Sequence, residues 1–289
     1  MNVLLAIIVA IAFVLIAPLL GGLFMGCDRV LTARMQSRVG PPILQPFYDV
    51  AKLWHKEKAF NNPVETIFTT AYLVLMVLSG VMFTTGGNIL LMVFALALAH
   101  TFLILAAYAA NAPFSHIGAE RELISVMITE PVLILIAAGF YMISGSFQVI
   151  DLFKTDGSGI ILLPGIFVAL CFVILLRLRK SPYDISTSEH AHQELVKGVT
   201  TSFSGRNLAK VEIAHWFELV ILVSLAILFF THLLVFSAIM IIVCFSLLLI
   251  IDNVFPRVTW KMTMKSIWLI TLFLGVLNLV LLGIFGVLL

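Results

Sequence analysis

The chain has 289 residues, 62% of them hydrophobic and only 11% charged. Soluble domains carry about 25% charged residues, so a water-soluble fold is excluded and an all-α integral membrane protein is expected. The formal net charge of +2 offers no polybasic surface, so the expected surroundings are a lipid bilayer and no nucleic acid.

A membrane-crossing helix needs roughly 20 mostly apolar residues. Eight stretches qualify, at about 2–25, 65–85, 88–110, 123–143, 159–179, 212–230, 233–252 and 267–288. The first is too long and too weakly charged at its start for a cleaved leader, so it counts as a span. Gly86-Gly87-Asn88 and the short Phe230–His232 join read as tight hairpin turns. Eight spans put the loops at about 26–64, 111–122, 180–211 and 253–266 on one side. Those loops and the adjoining helix ends hold every Lys and Arg except Lys154. Positive residues concentrate on the cytoplasmic side, so both termini are expected on the outer side of a multi-pass cell-membrane protein. The whole chain reads as one transmembrane domain with two large folded cytoplasmic loops, 26–64 and 180–211.

Cys27, Cys171 and Cys244 are widely spaced, without the CxxC pattern, so neither a disulfide framework nor a metal cluster is expected. In the first loop, Arg29, Arg34 and Arg38 form a basic patch after span 1. Farther on, Ile43, Phe47, Val50 and Trp54 recur at helical spacing, which suits a helix lying flat at the membrane surface or a plain solvated helix.

Span 4 holds Glu130 about nine residues from its start, roughly 12–14 Å deep at 1.5 Å per residue. A carboxyl group at that depth costs at least a few kcal/mol, so it is expected to face protein or water and to handle protons. Pro131 follows and predicts a local break in the helix. Glu120, Arg121 and Glu122 mark the cytoplasmic entrance of this span, and Glu122, Ser125 and Thr129 form a stripe leading toward Glu130.

The segment from Arg177 to Glu218 is too rich in chemistry for a connector. His190 and His192 read as surface histidines or, beside Glu189 and Glu194, as a protonatable cluster, histidine being the side chain that titrates closest to physiological pH; Asp184 lies in the same loop. Glu212, His215 and Glu218 step by three residues at the entry of span 6; they suit proton transfer through water, or anchoring at the interface. His55, His100, His116 and His232 read as structural. Asp252, at the end of span 7, is an anchor or a further relay group.

Together these residues resemble the H-subunit family of respiratory NADH:quinone oxidoreductase. They are similar in particular to its relatives in membrane-bound, energy-converting nickel–iron hydrogenases of the Ech and formate-hydrogenlyase kind. The resemblance runs through Asp28-Arg29, Arg34-Met35-Gln36, Arg38, Gly40-Pro41 and Gln45-Pro46, then Gly118, Arg121 and Glu130. It continues in Pro182-Tyr183-Asp184, Glu194-Leu195-Val196, Gly198 and the Phe203–Gly205 turn. Asp28 stands where the respiratory family usually has Glu. The His-Ala-His-Gln-Glu-Leu-Val run looks like the hydrogenase branch, and Ala214-His215-Trp216 replaces the usual Ala-Glu-Tyr.

The resemblance implies a membrane component that binds no cofactor itself, couples low-potential electron transfer and proton reduction to H+ or Na+ translocation, and docks an electron-transfer arm. The nickel–iron centre and iron–sulfur clusters are then expected in partners: the hydrogenase small subunit, the large nickel–iron subunit and a ferredoxin-like subunit. An antiporter-like membrane subunit completes the set. The quinone-reactive counterpart in a respiratory NADH:quinone oxidoreductase is the alternative. A stand-alone transporter fits less well, since no inverted repeat is visible. A passive anchor has no use for Glu130. The implied proton pathway comprises Asp28, Arg121, Glu122, Glu130, Asp184, Glu189, His190, His192, Glu194, Glu212, His215 and Glu218, with Arg29, Arg34 and Arg38 for docking.

Overall fold

The structure is a computed structural model that describes residues 3–57, 62–110, 112–153, 159–183, 186, 197–230 and 234–285. These residues form helices α1 (Val3–Met35), α2 (Gln45–His55), α3 (Pro63–Thr84), α4 (Ile89–Tyr108), α5 (Pro113–Ser144), α6 (Val149–Leu152), α7 (Gly159–Leu162) and α8 (Pro164–Arg177). The series continues with α9 (Gly205–Ile227), α10 (Leu234–Val254), α11 (Trp260–Ile270) and α12 (Leu277–Phe285). No strand occurs among the described residues, and the fold is an all-α membrane bundle.

Among the described residues, six helices are long and apolar enough to cross a membrane, against the eight expected: α1, α3, α4, α5, α9 with its single-turn extension to Phe230, and the continuous run from Trp260 to Ile284. The stretch expected at 159–179 holds a shorter apolar helix, Pro164–Arg177, whereas that at 233–252 holds α10, 21 residues long. The first is shortened because Pro164 cannot continue the turn begun by α7. Its exposed N-terminus is instead capped from α12, where Asn278 Oδ1 accepts from Gly165 N at 2.9 Å and Asn278 Nδ2 donates to Leu162 O at 2.9 Å.

Two helices outrun their expected spans. α1 has 33 residues and α5 has 32, about 50 Å each at 1.5 Å per residue. The residues around Asp28 and those around Glu122 are therefore helical, not loop. Pro131 does not break α5, which continues unbroken to Ser144; the proline removes only the hydrogen bond that Met127 C=O would accept. α5 ends at Gly145, in the left-handed region at φ 69°.

The expected turn at Gly86 joins α3 to α4, and Asn88 caps α4 by accepting from Leu90 N and Leu91 N. The second expected turn, Phe230–His232, lies in part outside the described residues. The amphipathic stretch of the first loop is α2. Its Phe47 ring meets Trp216 of α9 at 5.2 Å between centroids. α9 is the central helix: 72% of its apolar window is buried, against 11% for α1. The polar side chains Asn207, His215 and Glu218 of α9 are accordingly buried in protein.

Candidate functional site

Charge collects where α4, α5, α8 and α9 meet. From α4, His100 is 2% exposed and places its two ring nitrogens against two carboxylates. Nε2 lies 2.9 Å from Glu218 Oε1 of α9, and Nδ1 lies 3.5 Å from Glu122 Oε1 of α5. From the last turn of α8, Arg177 Nη2 donates to Glu130 Oε1 at 2.7 Å, while its Nε is 4.0 Å from Glu218 Oε1. His215 Nδ1 stands 3.4 Å from Glu218 Oε2, one turn back on α9. Ionised groups survive burial only when paired and hydrogen-bonded, and each of these has an opposite charge or an imidazole beside it.

The backbone fixes this meeting point. Arg179 adopts φ 54°, a left-handed conformation that a side-chain-bearing residue rarely takes. The chain thus turns sharply after α8, and Arg177 and Arg179 both stay near the acids. Arg179 is held charged: burial opposes its charge, but Glu122, Glu218 and Glu212 outweigh that cost. The returning end of the large loop rests on α5 at Gly118, where a side-chain Cβ would lie 2.2 Å from Val199 N and 2.4 Å from Gly198 C. One turn farther along α5, Glu122 lies beside Ser186 of that loop, and Val199 N donates to Ser186 O at 3.1 Å.

Of the residues singled out from sequence, Glu122, Glu130, His215 and Glu218 share this cluster. Ser125 and Thr129 are buried on the α5 face between Glu122 and Glu130. Glu212 is half-buried and near Arg179. Arg121 is half-buried on α5, and Glu120 is exposed. Asp184, Glu189, His190, His192 and Glu194 lie outside the described residues. Asp28 belongs to a second group, in which Lys180 Nζ is hydrogen-bonded to its carboxylate and stands 3.4 Å from Asp252 Oδ2. Arg29 pairs with Asp49 of α2 at 2.9 Å. Arg38 bonds to Gln36, and Arg34 is exposed.

Besides Arg179, three members of the cluster escape a reading of the sequence. His100 looks structural there, yet it bridges two acids. Arg177 looks like one more basic flank. Tyr72, fully buried on α3, has its ring 5.9 Å from that of His100. His100 carries a usable signal, since an ionisable residue well inside an apolar span invites the argument made for Glu130. Glu65, also overlooked, is buried on α3 and accepts from Asn207 Nδ2 at 2.8 Å. Among the described residues, no three His, Cys, Asp or Glu side chains are grouped to hold a metal ion.

Comparison with known proteins follows the same lines. The family model described as NADH dehydrogenase matches residues 5–283. Hydrogenase-4 component C of Escherichia coli (strain K12) is 30% identical over 239 residues, 78% of this chain and 75% of that protein. Formate hydrogenlyase subunit 4 of the same organism is 28% identical over 225 residues, 71% of this chain and 70% of that protein. A chain of the membrane-bound sulfane sulfur reductase, an archaeal respiratory membrane complex, has the same fold, with a TM-score of 0.83, 21% identity, and coverage of 96% of this chain and 99% of that one.

Proposed function

The chain belongs to the NADH dehydrogenase family, and from that premise we propose that it is the membrane ion-translocation and docking subunit of an energy-converting nickel–iron hydrogenase complex. Partner subunits, an iron–sulfur small subunit, a nickel–iron large subunit and a ferredoxin-like subunit, carry electrons to protons. This chain links that flow to H+ or Na+ movement through an antiporter-like neighbour. The observation that carries the reading is the buried ion network on Glu122, Glu130, Arg177 and Glu218, which joins the base of the large loop to the interior of the bundle. The two Escherichia coli relatives, one named a hydrogenase component and one a formate hydrogenlyase subunit, support the hydrogenase branch.

In this reading the termini face outward, and the large loop sits under the electron-transfer arm. Reduction of a cluster there adds negative charge near Asp184, Glu189, His190, His192 and Glu194. Added negative charge favours proton uptake by neighbouring carboxylates and imidazoles. Two unit charges about 8 Å apart interact by roughly 2 kcal/mol at an effective dielectric near 20. That exceeds one pKa unit and is sufficient to drive uptake near neutral pH. Protons then pass inward by Arg121 and Glu122 to Glu218 and Glu130, with Glu212 and His215 alongside and Asp28 on a side branch.

The test is purification from native membranes with assays for bound nickel, iron–sulfur clusters and hydrogen evolution. A complex lacking all three overturns the hydrogenase assignment. One observation favours the quinone-reactive alternative: an apolar groove of about 430 Å³ opens between α1, α2, α3 and α9, lined by residues that include Pro18, Phe47, Leu73, Val77 and Trp216. Quinone extracted in stoichiometric amount with the complex, in the absence of nickel, would select that reading.

A further inference from the structure

We propose that His100 is the proton carrier between Glu122 and Glu218, passing protons through its ring from one edge to the other. The proposal rests on the ion-translocation reading and names a residue that the implied pathway lacks. Its basis is the placement of the ring. Nε2 is hydrogen-bonded to Glu218 Oε1 at 2.9 Å, whereas Nδ1 is 3.5 Å from Glu122 Oε1 and, among the described residues, has no hydrogen-bond partner. The two acids belong to different helices and different neighbourhoods. Glu122 lies beside Ser186 of the large loop. Glu218 is tied to His215 and, across Arg177, to Glu130. His100 joins the loop side to the interior side.

The surroundings suit a carrier. Facing the imidazole are Glu122 from α5, Glu218 from α9, Arg177 from α8 and Tyr72 from α3, with Glu130 and His215 behind them. The acids Glu122, Glu130, Glu212 and Glu218 outnumber the guanidinium groups of Arg177 and Arg179, so a mobile proton held among them reduces the excess negative charge. The hydroxyl of Tyr72 and Nη1 of Arg177 are, like His100 Nδ1, buried without a partner among the described residues. Buried polar atoms of this kind are the usual lodging of internal water.

The step balances. A proton on Glu122 Oε1 moves to Nδ1 of a neutral ring that carries its own proton on Nε2. The Nε2 proton moves to Glu218 Oε1. One O–H bond and one N–H bond break, one of each forms, and the ring is left neutral as the other tautomer. Exchange through internal water, in which Nδ1 gives up its proton and Nε2 takes one, restores the starting tautomer once Glu218 has passed its proton on. The gap on the Nδ1 side exceeds a hydrogen bond, so the transfer waits until Glu122 approaches by a few tenths of an ångström. Ser186 places the large loop beside that approach.

The test uses the whole complex in native membrane vesicles with the variant His100→Gln, which keeps hydrogen bonding but cannot relay a proton. Expected is an assembled complex whose ion uptake per hydrogen evolved falls tenfold or more. Reduced-minus-oxidised infrared spectra of the wild type, labelled with 15N-histidine, show an imidazole tautomer change that this variant loses. Wild-type uptake in His100→Gln beside a loss in Glu130→Gln overturns the carrier and leaves the ion-translocation reading standing. Wild-type uptake in both overturns that reading. If His100→Gln does not assemble, the labelled spectra of Glu122→Gln and Glu218→Gln decide. A histidine band displaced by both variants belongs to the ring between them, and spectra with no histidine tautomer change show a static bridge.

Discussion

Asp28 and Lys180, 152 residues apart in the chain, meet as a buried ion pair where α1 passes the end of α8. Asp252 of α10 completes the clamp from the other side: its carboxylate reaches Lys180 at 3.4 Å and accepts from Ser181 N at 2.8 Å. Two elements, α1 and α10, are thus pinned to the first residues of the large loop. Arg177 and Arg179 lie immediately before this anchor, so the clamp holds the guanidinium groups of the interior cluster in place as well.

Replacing Lys180 with Met is therefore expected to destabilise the chain more than Asp28→Asn does. The lysine substitution leaves two carboxylates without their cation, whereas Asp28→Asn leaves Lys180 with Asp252. Breaking a fully buried pair costs about 3–5 kcal/mol. Asp252 is about one-fifth exposed, so about 2–3 kcal/mol is expected for Lys180→Met. Thermal unfolding of the purified complex ranks the two variants, and equal shifts would remove Lys180 from its central place.

Glu130→Gln is expected to leave the complex assembled while ion movement falls at least tenfold. The glutamine still accepts from Arg177 but cannot take up or release a proton. Arg177 keeps Glu218 as a charge partner at 4.0 Å, so the fold tolerates the change. Ion uptake by vesicles, measured together with hydrogen evolution, checks this. Unaltered uptake would take Glu130 out of the pathway.

Gly118→Ala tests the contact between the loop and α5. The added methyl meets the backbone of Gly198 and Val199, which has no side-chain rotamer to yield, so a cost of about 1–3 kcal/mol is expected. Gly145→Ala is the contrast. Nothing lies within 4 Å of its Cβ, but φ is 69°, so only backbone strain, about 1 kcal/mol, applies. Hydrogen exchange should rise at residues 198–203 in the first variant and stay local to the α5 end in the second.

What could be read from the sequence follows from what periodicity and cost record. Apolar length located the helices, and the Gly86 turn and the amphipathic α2 were legible because their signals are local. Glu130 stood out because a lone acid in an apolar run needs a reason. His100 did not, because a lone histidine looks the same whether it packs against a ring or bridges two carboxylates. Its partner Glu218 is 118 residues away. Arg177 was hidden for a related reason. At a helix end it looks like any positive flank, and only the turn at Arg179 shows that it points inward. The shortened α8 escaped notice because its cap, Asn278, comes from the far end of the chain.

The three arginines proposed for docking, Arg29, Arg34 and Arg38, divide by the company they keep. Arg29 is committed within its own loop: it pairs with Asp49, which Gln45 also holds at 2.8 Å. Both side chains of that pair are more than a third exposed, and exposed pairs contribute roughly 0–1 kcal/mol. Arg29→Ala is thus expected to loosen α2 slightly and to leave the soluble arm attached. Arg34 and Arg38 are exposed at the end of α1 and just beyond it. Guanidinium groups suit bidentate pairing with carboxylates of a partner, and contacts of this kind weaken as salt screens them. The double variant Arg34→Ala, Arg38→Ala is therefore expected to release the arm at lower salt than wild type in a graded wash, with nickel counted in the supernatant. If the release curve does not move, these two arginines are positive-side membrane anchors and the arm is held elsewhere.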